Sequence, residues 1–128
     1  MELLFESIKN DFDILNFEDG WDDEGAKKVD RGVFIDTILF LFKILKELKH
    51  LNKIRFSISA CGDETIDISD YLGRESEHIG FLINIGKERI GGYCINHNTK
   101  SELKFEQKTL FDKDPSRELI NWLNENYF

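Results

Sequence analysis

The feature that most constrains this fold is a change in the spacing of apolar residues near Asn52. Before it, apolar residues recur at helical intervals; after it, they alternate with polar residues, as in strands that bury one face. The alternation predicts five strands separated by short turns, at 54–60, 66–71, 79–85, 89–95 and around Leu103 and Phe105. Consecutive strands joined by short turns pair as neighbours, so the sequence predicts an antiparallel meander.

Two helices are predicted before the strands. The first covers residues 2–15 and carries one apolar stripe, formed by Leu4, Phe5, Ile8, Phe12 and Leu15. The second follows Asp30, a suitable N-cap, and its apolar positions run from Val33 to Leu51. Because these positions cover more than one face, we expect the first half of this helix to be nearly surrounded by protein. A homodimer seam is the alternative explanation for the excess of Phe and Leu.

A third helix is predicted at the end of the chain. Asp114 is placed at its N-cap and Pro115 at its first position. Its apolar face consists of Leu119, Ile120 and Leu123, and the residues expected to dock it on the body are Trp122, Tyr127 and Phe128. The prediction for residues 1–128 is therefore a single α+β domain: two N-terminal helices, a five-stranded antiparallel meander and a C-terminal helix, with the helices on one face of the sheet.

The longest apolar-rich stretch, at 33–45, contains Asp36 and Lys43 and is shorter than a membrane span. Glu2 and Glu6 interrupt the first apolar residues, so no secretory signal is predicted. The chain has 2 cysteines, which suits reduced thiols better than a disulfide framework. We therefore expect a soluble cytoplasmic protein that binds no membrane.

The formal net charge is −8, and residues 1–30 alone contribute −7, from ten acids and three lysines. This negative field repels phosphate backbones and attracts basic proteins, so direct nucleic-acid binding is disfavoured. Much of it lies in a glycine-bracketed loop at 20–26, between the first two predicted helices. A solvated acidic face that only aids solubility is the alternative interpretation.

The sequence contains no complete catalytic or metal-binding pattern. The acids at Asp19, Asp22, Asp23 and Glu24 lack the spacing of a calcium loop. The three histidines occur singly, and Cys94 and His97 are expected on opposite faces, unlike a zinc pair. No phosphate-binding glycine loop or GxSxG motif is present. Phe56, Phe81 and Phe105 are expected in the core rather than as base-stacking platforms. The predictions are no metal, no cofactor and no enzymatic activity.

The segment from Trp21 to Lys27 resembles the W-D-G-Y/E-G-A-x-P loop of a group of small, mostly uncharacterised prokaryotic proteins. In that group the loop lies between a short and a longer helix, and a β-meander follows. This sequence departs from the pattern in having Asp23 where glycine is usual and Lys28 where proline is usual. The resemblance implies the same helix-and-meander fold and a prokaryotic or phage origin.

The first functional hypothesis is a protein-interaction module, such as an antitoxin, immunity protein or inhibitor in a bacterial or phage conflict system. Its predicted partner is a basic protein, and its predicted contact residues are Glu18, Asp19, Trp21, Asp22, Asp23 and Glu24. One alternative is a ligand-sensing or accessory subunit of a defence complex, in which the sheet holds a small ligand near Gly91, Gly92 and Tyr93. The other alternative is a structural homodimer.

Overall fold

The computed structural model of the chain describes residues 29–70, 78–108 and 114–127. The predicted helix at 2–15 and the acidic loop at 20–26 lie outside these ranges. The described elements, in chain order, are helix α1 (Arg31–Glu47), a 3₁₀ turn (Leu51–Lys53), strands β1 (Phe56–Ala60), β2 (Ile66–Asp70), β3 (Ile79–Ile85), β4 (Ile90–Asn96) and β5 (Ser101–Gln107), and helix α2 (Arg117–Asn126).

The five strands form one antiparallel sheet in the order β1-β2-β3-β4-β5, which confirms the predicted meander. Each strand pairs with the next along the chain, and the register is unbroken across β3, β4 and β5. One row of paired residues crosses the whole sheet, from Ile58 through Ile68, Ile83 and Gly92 to Phe105. Since side chains alternate along each strand, this row and those two residues away from it define the inner face of the sheet.

The core lies between that inner face and the two described helices. The fully buried side chains from the sheet include Phe56, Ile66, Ile68, Ile83, Ile85 and Ile90, and those from the helices include Val33, Phe40, Leu41, Ile44, Leu119 and Leu123. All belong to one continuous cluster. The predicted α+β class is therefore confirmed for the described residues, with α1 packed over β2 and β3 and α2 packed against β5.

Helix α1 starts where the sequence predicts. The Asp30 side chain accepts a hydrogen bond from the Val33 amide at 2.9 Å, which makes it the N-cap. The helix ends at Glu47, earlier than the apolar pattern suggests, because Leu48 is extended. Asn124 of α2 stabilises this end: its amide nitrogen donates to the Glu47 carbonyl at 3.0 Å, and its oxygen accepts from the Lys49 amide at 2.9 Å.

Helix α2 starts later than predicted. Ser116, rather than Asp114, is the N-cap, and its hydroxyl accepts from the Leu119 amide at 3.2 Å. Asp114 instead pairs with Lys43 of α1, at 2.5 Å between Nζ and Oδ1. The predicted apolar face is confirmed, since Leu119, Ile120 and Leu123 are buried.

Buried polar contacts fix the C-terminal end of α2 on the sheet. The Asn96 amide of β4 donates to the Asn126 oxygen at 2.9 Å, and the Asn126 amide donates to the Trp122 carbonyl at 2.8 Å. The Tyr127 hydroxyl donates to the buried carboxylate of Asp70. Trp122 and Tyr127 therefore dock α2 as predicted, but each also depends on polar partners that the apolar pattern does not reveal. Phe128 lies outside the described residues.

Candidate protein-interaction surface

All six predicted contact residues, from Glu18 to Glu24, lie outside the described residues, which begin at Val29. Four residues lie between Glu24 and Val29 in the sequence. The N-terminal end of α1 and the turns beside it are the described surface closest to the acidic loop along the chain.

That end of the domain carries its own carboxylates. Asp30 caps α1, Glu64 lies in the β1–β2 turn, and Lys87 of the β3–β4 turn pairs with both, at 3.3 Å and 3.4 Å. We call the described residues here the acidic end: the carboxylates are Asp30, Asp63, Glu64, Asp67, Glu88 and Glu106, which pairs with Arg89, and the cations are Arg31, Lys87 and Arg89. Six carboxylates against three cations leave a net charge of −3.

Two of these carboxylates are held in the ionised form by hydrogen bonds. The Val33 amide is the main cause that lowers the pKa of Asp30, and Lys87 lowers it further. Asp63 accepts from the hydroxyl and the amide of Thr65, at 2.6 and 3.2 Å, and this lowers its pKa. Glu64, between Asp63 and Thr65 in the same turn, adopts a left-handed backbone conformation with φ of 73°. The hydrogen bonds to Asp63 therefore stabilise both its negative charge and the conformation of the β1–β2 turn.

Asn84 connects the β1–β2 turn to the outer face of the sheet. Its amide donates to the Thr65 hydroxyl at 2.9 Å and to the Asp67 carboxylate at 2.8 Å. Cys61 lies beside this group, and burial, with Asp67 as a further cause, raises the pKa of its thiol to about 12. Burial and the neighbouring carboxylate therefore disfavour the thiolate, the form in which a cysteine acts as a nucleophile. The arrangement is suited to holding the turn.

The second cysteine, Cys94, lies in the core, and burial raises the pKa of its thiol to about 12. His97, three residues later, is exposed. In the described ranges, no group of three or more His, Cys, Asp or Glu side chains is arranged to hold a metal ion.

The residues of the alternative ligand site do not share one surface. Tyr93 and Gly91 belong to the outer face of β4, whereas Gly92 belongs to the inner face, opposite Ile83. There the Phe105 ring occupies the place of a side chain, because a Cβ on Gly92 would lie 2.6 Å from two of its carbons. The same Cβ would also lie 2.9 Å from the Leu82 carbonyl oxygen of β3, while β4 pairs regularly with both of its neighbours at this position.

The phenylalanines considered as stacking platforms face the core. Phe56 and Phe81 are buried, with their ring centroids 5.7 Å apart, and Phe105 is half-buried over Gly92. The described sheet therefore does not offer the row of exposed aromatic rings on which single-stranded nucleic acids stack.

Helix α1 contradicts the expectation that its first half is nearly surrounded by protein. Three large apolar side chains on one face are about half exposed: Ile35 by 57 %, Leu39 by 51 % and Phe42 by 53 %. We call these three residues the apolar stripe. The sequence shows that α1 is apolar on more than one face. Which of these faces packs on the sheet depends on how α1 and α2 divide the inner face of the sheet between them.

Comparison of the chain with protein-family profiles, curated proteins and solved structures finds no match in any of the three. No helix in the described ranges is long and apolar enough to cross a membrane.

Proposed function

We propose that this chain is a small protein-interaction module that binds a basic protein through an acidic surface. That surface consists of the predicted contact residues from Glu18 to Glu24 together with the acidic end. The observation that carries the proposal is the connection between them: the segment that contributes most of the net charge joins the domain at the end where Asp30, Asp63 and Glu64 are already clustered.

Electrostatics support this proposal in two ways. Charges of one sign that are clustered on one end raise the rate at which an oppositely charged partner associates. The hydrogen bonds at Asp30 and Asp63 also keep those carboxylates ionised without immobilising them in the core. Trp21 would supply the aromatic anchor that such surfaces commonly contain. An antitoxin, immunity protein or inhibitor from a bacterial or phage conflict system fits these properties and the prokaryotic resemblance.

The test is a pull-down from the native host with the wild-type chain and two charge-matched variants. The first variant carries Asp19→Lys, Asp22→Lys and Asp23→Lys. The control carries the same charge change on exposed positions away from the acidic end, with Glu102→Lys, Glu118→Lys and Glu125→Lys. Circular dichroism first establishes that all three chains are folded.

We expect a basic protein to be retained by the wild type and by the control, and lost from the first variant. Its retention should also weaken as salt increases, since the steering is electrostatic. Equal retention by all three chains would show that the acidic surface is not the binding site. Loss from both variants would show that net charge, rather than this surface, holds the partner.

A further inference from the structure

Strand β5 is one edge of the described sheet, and the β3–β4 turn shows which of its backbone groups face outward. The Gly86 amide donates to the Arg89 carbonyl at 2.9 Å, so these two residues form a hydrogen-bonded pair. Such pairs alternate with non-hydrogen-bonded pairs along an antiparallel ladder. Odd-numbered residues of β4 therefore bond to β3, and even-numbered residues of β4 bond to β5. In the β4–β5 register, the partners of those even-numbered residues are the odd-numbered residues of β5.

The backbone N–H and C=O groups of Glu102, Lys104 and Glu106 consequently point away from β4, toward the open edge of β5. No described residue forms a hydrogen bond with these backbone groups. Native sheets commonly protect such an edge with a short strand, a proline or a bulge. Strand β5 is seven residues long, contains no proline and pairs with β4 in unbroken register. Its outer edge is therefore suited to accept a further strand.

The exposed side chains of the same three residues form a row of alternating charge on the outer face of the sheet. Glu106 pairs with Arg89 at 3.6 Å. Glu102 accepts a hydrogen bond from the Tyr93 hydroxyl at 3.3 Å, and the Lys104 Nζ lies 5.8 Å from the centroid of the Tyr93 ring. In the described part of the chain, neither Glu102 nor Lys104 forms an ion pair. The edge therefore presents one negative and one positive charge that lack an ionic partner.

We propose that β5 pairs antiparallel with β5 of a second copy of this chain, in the register centred on Leu103. In this register Glu102 lies opposite Lys104 of the second copy, and two-fold symmetry repeats the pair. The backbone groups of both residues face the edge, so each pair also exchanges N–H···O bonds across the seam. The two Leu103 side chains meet at the two-fold axis on the inner face, where Leu103 already packs against the core.

Charge selects this register over its neighbours. Centring the pair on Lys104 would place like charges opposite each other along the whole row, which destabilises a strand pair. Centring it on Phe105 would place Lys104 opposite Glu106, a carboxylate that Arg89 already neutralises. Of these three registers, the one centred on Leu103 joins the two charges that lack ion pairs.

The same self-complementarity favours a second copy over an unrelated strand as the occupant of the edge. A strand that matches itself about a two-fold axis uses one surface on both copies, so the assembly closes at two. The dimer does not rest on the proposed function, which concerns a basic partner at the acidic end. The pull-down control contains Glu102→Lys, so a control that retains the partner but stays monomeric would separate the two activities.

Two charge reversals, studied alone and mixed, test the register. Glu102→Lys places a lysine opposite Lys104 of the second copy, and Lys104→Glu places a glutamate opposite Glu102. An equimolar mixture of the two variants restores both opposite-charge pairs in a heterodimer. The matched control is Lys53→Glu, an exposed change before β1, at the other edge of the described sheet. Circular dichroism checks folding, and sedimentation velocity over a concentration series measures mass.

We expect the wild type, the control and the mixture to shift toward twice the monomer mass as concentration rises. Each reversal alone should lose this shift. A wild type that stays monomeric throughout the series would overturn the proposal. Single variants that dimerise as well as the wild type, or a mixture no more dimeric than its components, would overturn it too.

Disulfide trapping determines the register independently of charge. Cys61→Ser removes the half-buried thiol, while Cys94 is buried and can remain. In this background, Leu103→Cys places two thiols at the central non-hydrogen-bonded pair, where Cα atoms lie about 4.5 Å apart, within disulfide range. Phe105→Cys is the matched control. After mild oxidation, non-reducing gels should show a linked dimer for Leu103→Cys and none for Phe105→Cys. Equal linking, or linking of Phe105→Cys alone, would contradict the register.

Discussion

Helices α1 and α2 pack on the same face of one sheet, yet their apolar residues are distributed differently. In α2 the apolar side faces the core through Leu119, Ile120 and Leu123, and its exposed positions are polar. In α1 a second apolar face, the stripe of Ile35, Leu39 and Phe42, is left half exposed. The comparison shows that apolar residues on every side of a helix do not imply that the sheet and one neighbouring helix surround it.

The largest expected difference between the two faces of α1 is in core packing. Leu41→Ala and, in α2, Leu123→Ala each remove a fully buried side chain. Each should therefore lower the free energy of unfolding by about 2–5 kcal/mol in urea denaturation. Leu39→Ala should cost at least about 1 kcal/mol less, because the Leu39 side chain is already about half exposed in the folded state. Equal costs at Leu39 and Leu41 would mean that the stripe is as enclosed as the core.

Two asparagines of α2 allow a buried and an exposed contact to be compared with the same substitution. Asn126→Ala leaves the amide of buried Asn96 without its partner, which should cost about 1–3 kcal/mol. Asn124→Ala removes the exposed contacts to Glu47 and Lys49 at the end of α1, and should cost about 1 kcal/mol or less. Thermal unfolding of both variants checks the order. The reverse order would show that joining the two helices contributes more than anchoring α2 on the sheet.

The N-caps distinguish the starts of the two helices. Asp30→Ala and Ser116→Ala should each cost about 1 kcal/mol, because each leaves a first-turn amide without its acceptor. The control, Asp114→Ala, removes the exposed ion pair with Lys43 and should cost roughly 0.5 kcal/mol. If Asp114→Ala were the more damaging of the two changes near α2, Asp114 would be acting as the cap that the sequence predicts.

The smallest expected effect is on acid stability, and it belongs to α1 alone. Folding lowers the pKa of Asp30, so its stabilising contribution is complete above the ordinary value of 3.8. The contribution is lost as the pH falls below 3.8 toward the lowered value, whereas the Ser116 cap does not titrate. Asp30→Asn keeps a good N-cap without a titrating group. It should therefore make the melting temperature less dependent on pH between 5 and about 2.5; an unchanged pH dependence would contradict this account.

Much of the fold follows from local patterns. Period-two alternation placed all five strands, with ends shifted by a residue or two, and the short turns between most of them gave their order. Asp30 was predicted as the cap of α1 because a carboxylate there can accept from the first turn without distant partners. The start of α2 was misplaced by two residues because Asp114 and Ser116 are both acceptable caps. The pairing of Asp114 with Lys43, 71 residues away, is invisible to local reasoning.

The candidate surface could be predicted only in part. The charge of residues 1–30 is read directly from the sequence, but the clustering of Asp30, Asp63 and Glu64 around Lys87 is not, because it joins α1 to two different turns. The role of Gly92 could not be predicted from the sequence either. Its lack of a side chain makes room for Phe105, thirteen positions later and on the neighbouring strand.

By itself, the sequence determined the class of fold, the meander and the concentration of negative charge before α1, since each depends on residue spacing or composition along a short stretch. Tertiary structure alone decided which face of α1 meets the sheet, which residue caps α2, and how Asp70, Asn96 and Asn126 obtain their buried partners. These features depend on side chains that are distant in sequence, and their free energies are fixed only when packing brings the partners within contact distance.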